Sequence, residues 1–368
     1  MKSLPRFWQL RSWRACVLWP ISWLFSWLLR GRRLLYRLGV LRTVPSRLPV
    51  IVVGNLSVGG TGKTPLCAEL VSRFRQAGWK PAIVSRGYGG PRYEQPHLLT
   101  DEDTPSTAGD EPVMLYQQCA VPVCVCVDRA AAVARIVRDT DADVVFSDDG
   151  LQHLRMERVA DIVVIDGVRG LGNRWLMPAG PLREPPSRLA AADLIAIQAP
   201  FTGKEPADDW LHRSLQKVFG RHVDGEVQNQ TFQLLPGRLR QLSSGQCVDM
   251  ASMVGRRVHA VAGIGNPQRF FDSLAACGLQ VDAHPLPDHH RFTLDDLSFD
   301  DDDPVLITSK DAVKLQAMTG LTDKVHEVAV QIQLNDELAR AIDALERTLR
   351  QSRQTDCLTP HCRGFSGR

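Results

Sequence analysis

The stretch that most narrows what this chain can become runs from Ile51 to Pro65, IVVGNLSVGGTGKTP. β-Branched apolar residues enter a glycine-rich turn ending in Gly62-Lys63-Thr64, and an apolar helical pattern follows. Strand, loop and helix in that order are the setting of a phosphate-binding loop. There, consecutive backbone N–H groups and the positive end of the helix surround a phosphate. The expected cradle is Ser57, Gly59, Gly60, Thr61, Gly62, Lys63 and Thr64. Lys63 should reach the outer phosphates of a nucleotide, and the Thr64 hydroxyl should hold Mg2+. Ser57 stands where the G-x-x-x-x-G-K-[S/T] pattern has glycine, so the loop is a variant form. An ordinary glycine-rich turn is the plainer alternative, disfavoured by the flanking strand and helix.

Further along, short apolar runs at Val50–Val53, Ala82–Ser85, Val121–Val127, Val144–Ser147, Ile162–Ile165 and Leu194–Ile197 are separated by helix- or loop-sized intervals. Continuously apolar strands imply a sheet covered on both faces and mostly parallel. The expected fold class is α/β, a P-loop type of doubly wound, mostly parallel sheet with ligands at the C-terminal strand ends. Residues 48–198 form this core. Residues 199–255 turn polar and read as a connector with a β-ribbon near Thr231–Leu235. A smaller C-terminal α/β part over 256–350 follows: strands at Val258–Ala262, Val305–Thr308 and Val325–Ile332, helices at Arg269–Cys277, Ala312–Met318 and Asp336–Leu349. A polar tail, 351–368, ends the chain.

Residues 1–47 contain lysines and arginines but no acid, although the whole 368-residue chain carries a formal charge of only +3. Overall charge therefore names no partner and gives no reason to expect nucleic acid; the basic N-terminus should meet something anionic. Within it, residues 15–29 (ACVLWPISWLFSWLL) are apolar, rich in tryptophan and flanked by arginines. The run is shorter than the ~20 residues that comfortably span a bilayer. Tryptophan and arginine together favour the membrane interface, so an N-terminal helix in the cytoplasmic leaflet is expected; a helix packed on the core is the alternative. Nine scattered cysteines lack a CxxC pair, which suits a reducing cytosol. Cys357, His361 and Cys362 match no common zinc spacing.

Other stretches could carry chemistry. Asp148-Asp149 end an apolar strand; adjacent carboxylates are costly as packing and useful beside a cation, so they are expected at Mg2+. Gln152 and His153 continue that motif. Arg86, in Ser85–Gly90 (SRGYGG), suits phosphate oxygens, and the glycines allow close backbone approach. Asp110 opens a helix in Gly109–Pro112 (GDEP), where a plain cap is the alternative to chemistry. Gly172–Pro185 is a long Pro/Gly-rich loop bearing Arg174, Arg183 and Glu184. Pro287–Phe292 (PDHHRF) clusters two histidines and an acid, and Thr308–Asp311 offers another cation. Asp300–Asp303 reads as a solvated acidic turn.

With these motifs in order, VVGNLSVGGTGKTP, SRGYGG, GDEP, SDDGLQH, PAGPLREP, GIGNPQRFF, PDHHRF and TSKDAVKL, the chain resembles the tetraacyldisaccharide 4'-kinase family of lipid A biosynthesis over about residues 50–320. The resemblance implies a P-loop core with a smaller C-terminal part and an N-terminal helix at the cytoplasmic face of the inner membrane. It implies transfer of the ATP γ-phosphate to the 4'-hydroxyl of tetraacyldisaccharide 1-phosphate, giving lipid IVA. Lys63 and Thr64 would hold nucleotide and Mg2+, Asp148 and Asp149 would flank the metal, Asp110 would be the general base and His289 its supporting partner. With that pair divided between two parts of the chain, domain closure is expected to unite them. A membrane-associated nucleotide switch remains the other class of reading, although no guanine-reading NKxD is evident and GDEP, PDHH and TSKD would be superfluous to it. A soluble small-metabolite kinase leaves the tryptophan-rich N-terminus unexplained.

Overall fold

The structure, a computed structural model, describes residues 5–200, 230–316 and 318–358. Residues 201–229 of the expected connector and the tail from 359 lie outside them, and with the tail His361 and Cys362 of the cysteine–histidine cluster near the C-terminus.

A basic helix, α1 (Trp13–Arg37), precedes β1 (Val50–Asn55), which leads through the glycine-rich loop into α2 (Lys63–Gln76). Then come β2 (Pro81–Ser85), β3 (His97–Leu98), α3 (Pro105–Ala108), α4 (Asp110–Cys119), β4 (Val123–Val125), α5 (Arg129–Asp139), β5 (Val144–Asp148), β6 (Ala160–Asp166) and β7 (Leu194–Ala199). The later elements are β8 (Thr231–Gln241), β9 (Cys247–Val248), β10 (Arg257–Ala262), α6 (Pro267–Ala276), β11 (Gln280–Pro285), β12 (Val305–Thr308), α7 (Ser309–Leu315), β13 (Val325–Leu334) and α8 (Asp336–Leu358).

Among the described residues the strands join one sheet in the order β11-β10-β12-β13-β8-β7-β6-β1-β5-β2-β4-β3, with β9 paired to β8. Most neighbours are parallel; β13–β8, β3–β4 and β8–β9 are antiparallel. The central strands are apolar throughout because both faces are covered. Ile51 and Val53 of β1 pack with Leu66, Leu70 and Phe74, the i, i+4 stripe of α2. Val50 and Val52 point the other way, to Val133 and Ile136 of α5. Two further clusters cover the faces of β10 and β12.

β8 runs well past the expected ribbon at Thr231–Leu235. It pairs parallel with β7 and antiparallel with β13, so the two α/β regions share one continuous sheet. β11 was not expected from sequence: an edge strand reading Gln-Val-Asp-Ala-His-Pro has too few apolar residues to announce itself. Among the described residues no helix is long and apolar enough to cross a membrane. α1 leans on the Gly172–Pro185 loop, where the Ser22 hydroxyl donates to the Leu176 carbonyl and accepts from the Ala179 N–H. Its other side leaves Val17, Trp23, Leu24, Trp27 and Leu28 exposed.

Candidate active site

The phosphate-loop backbone passes through left-handed conformations at Gly59 (φ 105°) and Gly62 (φ 78°), just before α2 begins at Lys63. Space as well as φ requires glycine at 62: a Cβ there would lie 3.1 Å from the Gln198 side chain and 3.3 Å from Phe232. The departure at Ser57 is accommodated by the neighbouring loop. Ser57 bridges Leu182, the Val58 N–H donates to the Pro181 carbonyl, and the Asn55 amide donates to the Ser57 carbonyl at 2.7 Å.

β1 and β5 are adjacent and parallel, which sets Thr64 beside the carboxylates. The Thr64 hydroxyl donates to Asp148 Oδ2 at 3.0 Å, while Asp148 Oδ1 is buried with no hydrogen-bond partner. Burial pushes the Asp148 carboxyl up to about 7, against the pull of Lys63 and with Glu111 and Asp149 adding to the rise. Asp149 takes a left-handed conformation (φ 52°) that turns its carboxylate toward Lys63 at 3.8 Å and Arg183 at 3.1 Å. Burial works to raise its pKa too, but Lys63 and Arg183 outweigh it and hold Asp149 below the ordinary aspartate value. Two adjacent acids are thus pushed in opposite directions by what faces them.

Asp110 begins α4 and is buried. It accepts from His289 Nδ1 at 2.9 Å and lies 3.6 Å from Lys314 Nζ. Burial alone would raise its pKa; the histidine bond and the charges of Lys314 and Lys310 reverse that, leaving a carboxylate ionised at neutral pH. The seat is built from backbone. Gly90 could not carry a Cβ without meeting the Gly109 nitrogen at 2.5 Å, nor Gly109 without meeting the Tyr88 carbonyl at 2.6 Å. His289 is itself left-handed (φ 60°) and packs its ring 4.9 Å from that of Tyr88. The two parts of the chain thus bring this pair into direct contact.

Lys63, Asp148, Asp149, Arg183 and His289 line one cleft of ≈ 600 Å³, with Asp110 behind His289; the cleft also holds Arg86, Arg129, His153, Lys310 and, from α1, Phe25, Leu29, Arg32 and Arg33. Arg33 is ion-paired with Glu184, so the N-terminal helix reaches the site directly. On the other side of the phosphate loop lies a cavity of ≈ 260 Å³ walled by Met114, Leu235, Pro236, Phe270 and Val330. Between the two, Arg269 donates to Gln198 and pairs with Asp166; Asp166 also pairs with Arg169, which donates to the Gly60 carbonyl. Of the residues expected from sequence, Gly59, Gly60, Lys63, Arg86, Asp148, Asp149 and His289 line the larger space and Thr61, Gly62 and Thr64 the smaller, while Asp110 lies behind His289 and Ser57 beside Val58. Sequence reasoning missed Arg129, Lys314 and the Asp166–Arg269 link. Arg129 offered one signal: it is a cation in the first turn of α5, where the helix dipole disfavours positive charge, and it proves buried with Nη1 on the Cys126 carbonyl.

Phosphate loop, strand-end carboxylates and parallel sheet together define a P-loop nucleotide-binding α/β protein. Its relatives narrow this further. The family model described as tetraacyldisaccharide-1-P 4'-kinase matches residues 14–347, and the chain belongs to that family. It is 45% identical to the tetraacyldisaccharide 4'-kinase of Methylobacillus flagellatus over 84% of this chain and 86% of the relative. It is 43% identical to that of Halorhodospira halophila over 93% and 96%. The fold is similar to a crystal structure of the "apo" form of LpxK from Aquifex aeolicus in complex with ATP, with TM-score 0.72 and 26% identity over 92% of this chain and 98% of that one. Family membership makes the chain a kinase of lipid A biosynthesis.

Proposed function

We propose that the chain transfers the γ-phosphate of Mg2+-bound ATP to the 4'-hydroxyl of tetraacyldisaccharide 1-phosphate, with Asp110 accepting the hydroxyl proton and His289 holding Asp110 in place. The observation that carries this reading is the 2.9 Å Asp110–His289 bond bordering the same cleft as Lys63 and Asp148. A sugar hydroxyl must lose its proton as it attacks, and Asp110 is ionised and positioned to take it. The proton leaves the hydroxyl for a carboxylate oxygen, while the hydroxyl oxygen bonds to phosphorus and ADP departs. Lys63 stabilises the charge on the transferring group. Arg86 and Arg183, lining the cleft, add positive potential around it.

The donor set fits Mg2+. Asp148 Oδ1 is a buried carboxylate oxygen without a partner, next to the Thr64 hydroxyl and Asp149, and hard oxygen ligands are what Mg2+ takes. Bound there, Mg2+ would neutralise phosphate charge. The apolar cavity beyond the loop suits the nucleotide base. We place α1 in the cytoplasmic leaflet of the inner membrane, with Trp23, Trp27 and Leu28 buried among lipid. The acyl chains of the substrate then stay in the leaflet while its sugar head enters along Leu29, Arg32 and Arg33.

The test is transfer of labelled γ-phosphate to tetraacyldisaccharide 1-phosphate in mixed micelles, comparing wild type with Asp110→Ala and Lys63→Ala. Transfer should be lost in both variants. ATP hydrolysis without lipid product, while the lipid demonstrably binds, would instead favour a nucleotide switch.

A further inference from the structure

His259 on β10 and Asp282 and His284 on β11 stand on the outermost strand pair, and none of them lines the catalytic cleft. In the parallel pairing His259 lies level with Asp282. Residues two apart on a strand share a face, so His284 joins them. His259 Nδ1 is 3.1 Å from His284 Nε2, and the Asp282 carboxylate lies 3.6 Å from the first nitrogen and 3.7 Å from the second. Ligand atoms around one tetrahedral zinc, each bonded at ~2.0–2.1 Å, sit ~3.3 Å apart. Each of the three separations is within a few tenths of an ångström of that spacing, Asp282 presenting Oδ2 to His259 and Oδ1 to His284.

The surroundings fit as well. His259 is buried and stacked on Phe299, with ring centroids 3.8 Å apart. Its Nε2–H donates to Asp301 at 2.9 Å, which leaves the Nδ1 lone pair aimed at His284 and Asp282. A carboxylate behind a ligating imidazole is the usual outer layer of a protein zinc site. Charge also favours a dication: Asp282, Asp301 and Asp303 face Arg257, at 3.0, 3.6 and 3.8 Å, so the acids outnumber the cation. A plain histidine–histidine hydrogen bond accounts for the 3.1 Å contact. The Arg257 pair holds Asp282 beside both nitrogens, and Asp301 fixes the tautomer of His259 from behind, so the three donors stand ready together.

We infer that His259 Nδ1, His284 Nε2 and the Asp282 carboxylate form a binding site for a zinc-class divalent cation, separate from the kinase cleft. Two imidazole nitrogens and one carboxylate select zinc over magnesium, and solvent completes the coordination. On binding, the proton of His284 moves from Nε2 to Nδ1. The ion ties the polar edge strand β11 to β10, while Asp301 secures His259 from the following loop. Its role is to brace this end of the sheet.

The experiment uses the full chain with Cys357→Ser and Cys362→Ser, which removes the thiols of the tail, stripped of metal and held in saturating Mg2+ and ATP. Zn2+ is titrated against a chromophoric chelator. One equivalent should bind and raise the thermal midpoint. His284→Ala should lose both effects, and Asp301→Asn should weaken binding ~10–100-fold, with phosphate transfer unchanged in each. Should His284→Ala fail to fold, Asp282→Asn reads the same loss. Absence of Zn2+ binding at micromolar concentration in the parent, or uptake that is equal in the ligand variants, overturns the site.

Discussion

Asp148 offers the sharpest test of the electrostatics. It is almost wholly buried and its pKa stands at about 7 against an ordinary value of 3.8. The folded state therefore prefers the protonated form. A raised carboxyl pKa contributes stability in full below the unfolded value, and that contribution is lost as pH climbs through about 7. At about 1.4 kcal/mol per pH unit, the loss at pH 8 is on the order of 4 kcal/mol. Relaxation and water entry make this an upper figure. Asp148→Asn cannot ionise, so it should match wild type near pH 4 and become more stable as pH rises, by a few kcal/mol at pH 8. Urea unfolding from pH 4 to pH 8, without metal or nucleotide, measures the gap. With Mg2+ and ATP the order should reverse, because only the carboxylate gains from the cation. Stability curves for the two proteins that stay parallel across the whole range would refute the burial argument.

The remaining expectations concern the proton acceptor, its seat and the membrane. Asp110→Asn should lower kcat ~10²–10⁴-fold, the usual reach of a positioned base, with KM for ATP little changed. His289→Ala removes one hydrogen bond to a charge, worth ~1.5–3 kcal/mol, so kcat should fall by roughly 10–150-fold. Asp110 must be ionised to act, and without the histidine burial raises its pKa; the acid limb of the pH–rate profile should move to higher pH, and an unmoved limb would show that His289 does not tune Asp110. Gly90→Ala forces a Cβ into the Gly109 backbone and should cost transfer activity more than ATP affinity, read by isothermal titration alongside turnover. Trp23→Ala with Trp27→Ala, at two exposed rings of α1, should weaken binding to anionic vesicles at least tenfold in sedimentation, a loss of about 1.4 kcal/mol or more.

Much of this was legible in the chain because the chemistry is local. A glycine loop between strand and helix, or paired acids at a strand end, needs only neighbouring residues to declare itself; Lys63, Thr64, Asp148 and Asp149 were readable for that reason. Asp110 was harder, since a helix-opening acid is normally a cap, and only the contact with His289, 179 positions away, sets it apart. Lys314 and Arg269 were invisible for a related cause: their partners, Asp110 and Asp166, come from the other half of the sheet. β11 escaped because an edge strand does not need the apolar run that marks a central one. The length of β8 escaped because its residues are mostly half-buried and interrupted by Pro236 and Gly237.

The ladder between β7 and β8 spans only Ile197–Ala199 against Thr231–Gln233, whereas β8 pairs with β13 from Phe232 to Gln241. Asp110 belongs to one side of that narrow seam and His289 to the other. A change of twist at this ladder would move the two apart, as a torsion spring moves its ends, against the side-chain links that cross beside it at Lys314–Asp110 and Arg269–Asp166. The amides of the seam are then the ones whose exchange should slow most when nucleotide and lipid clamp the two ends together, and stiffening it would trade speed of lipid entry for fidelity of closure.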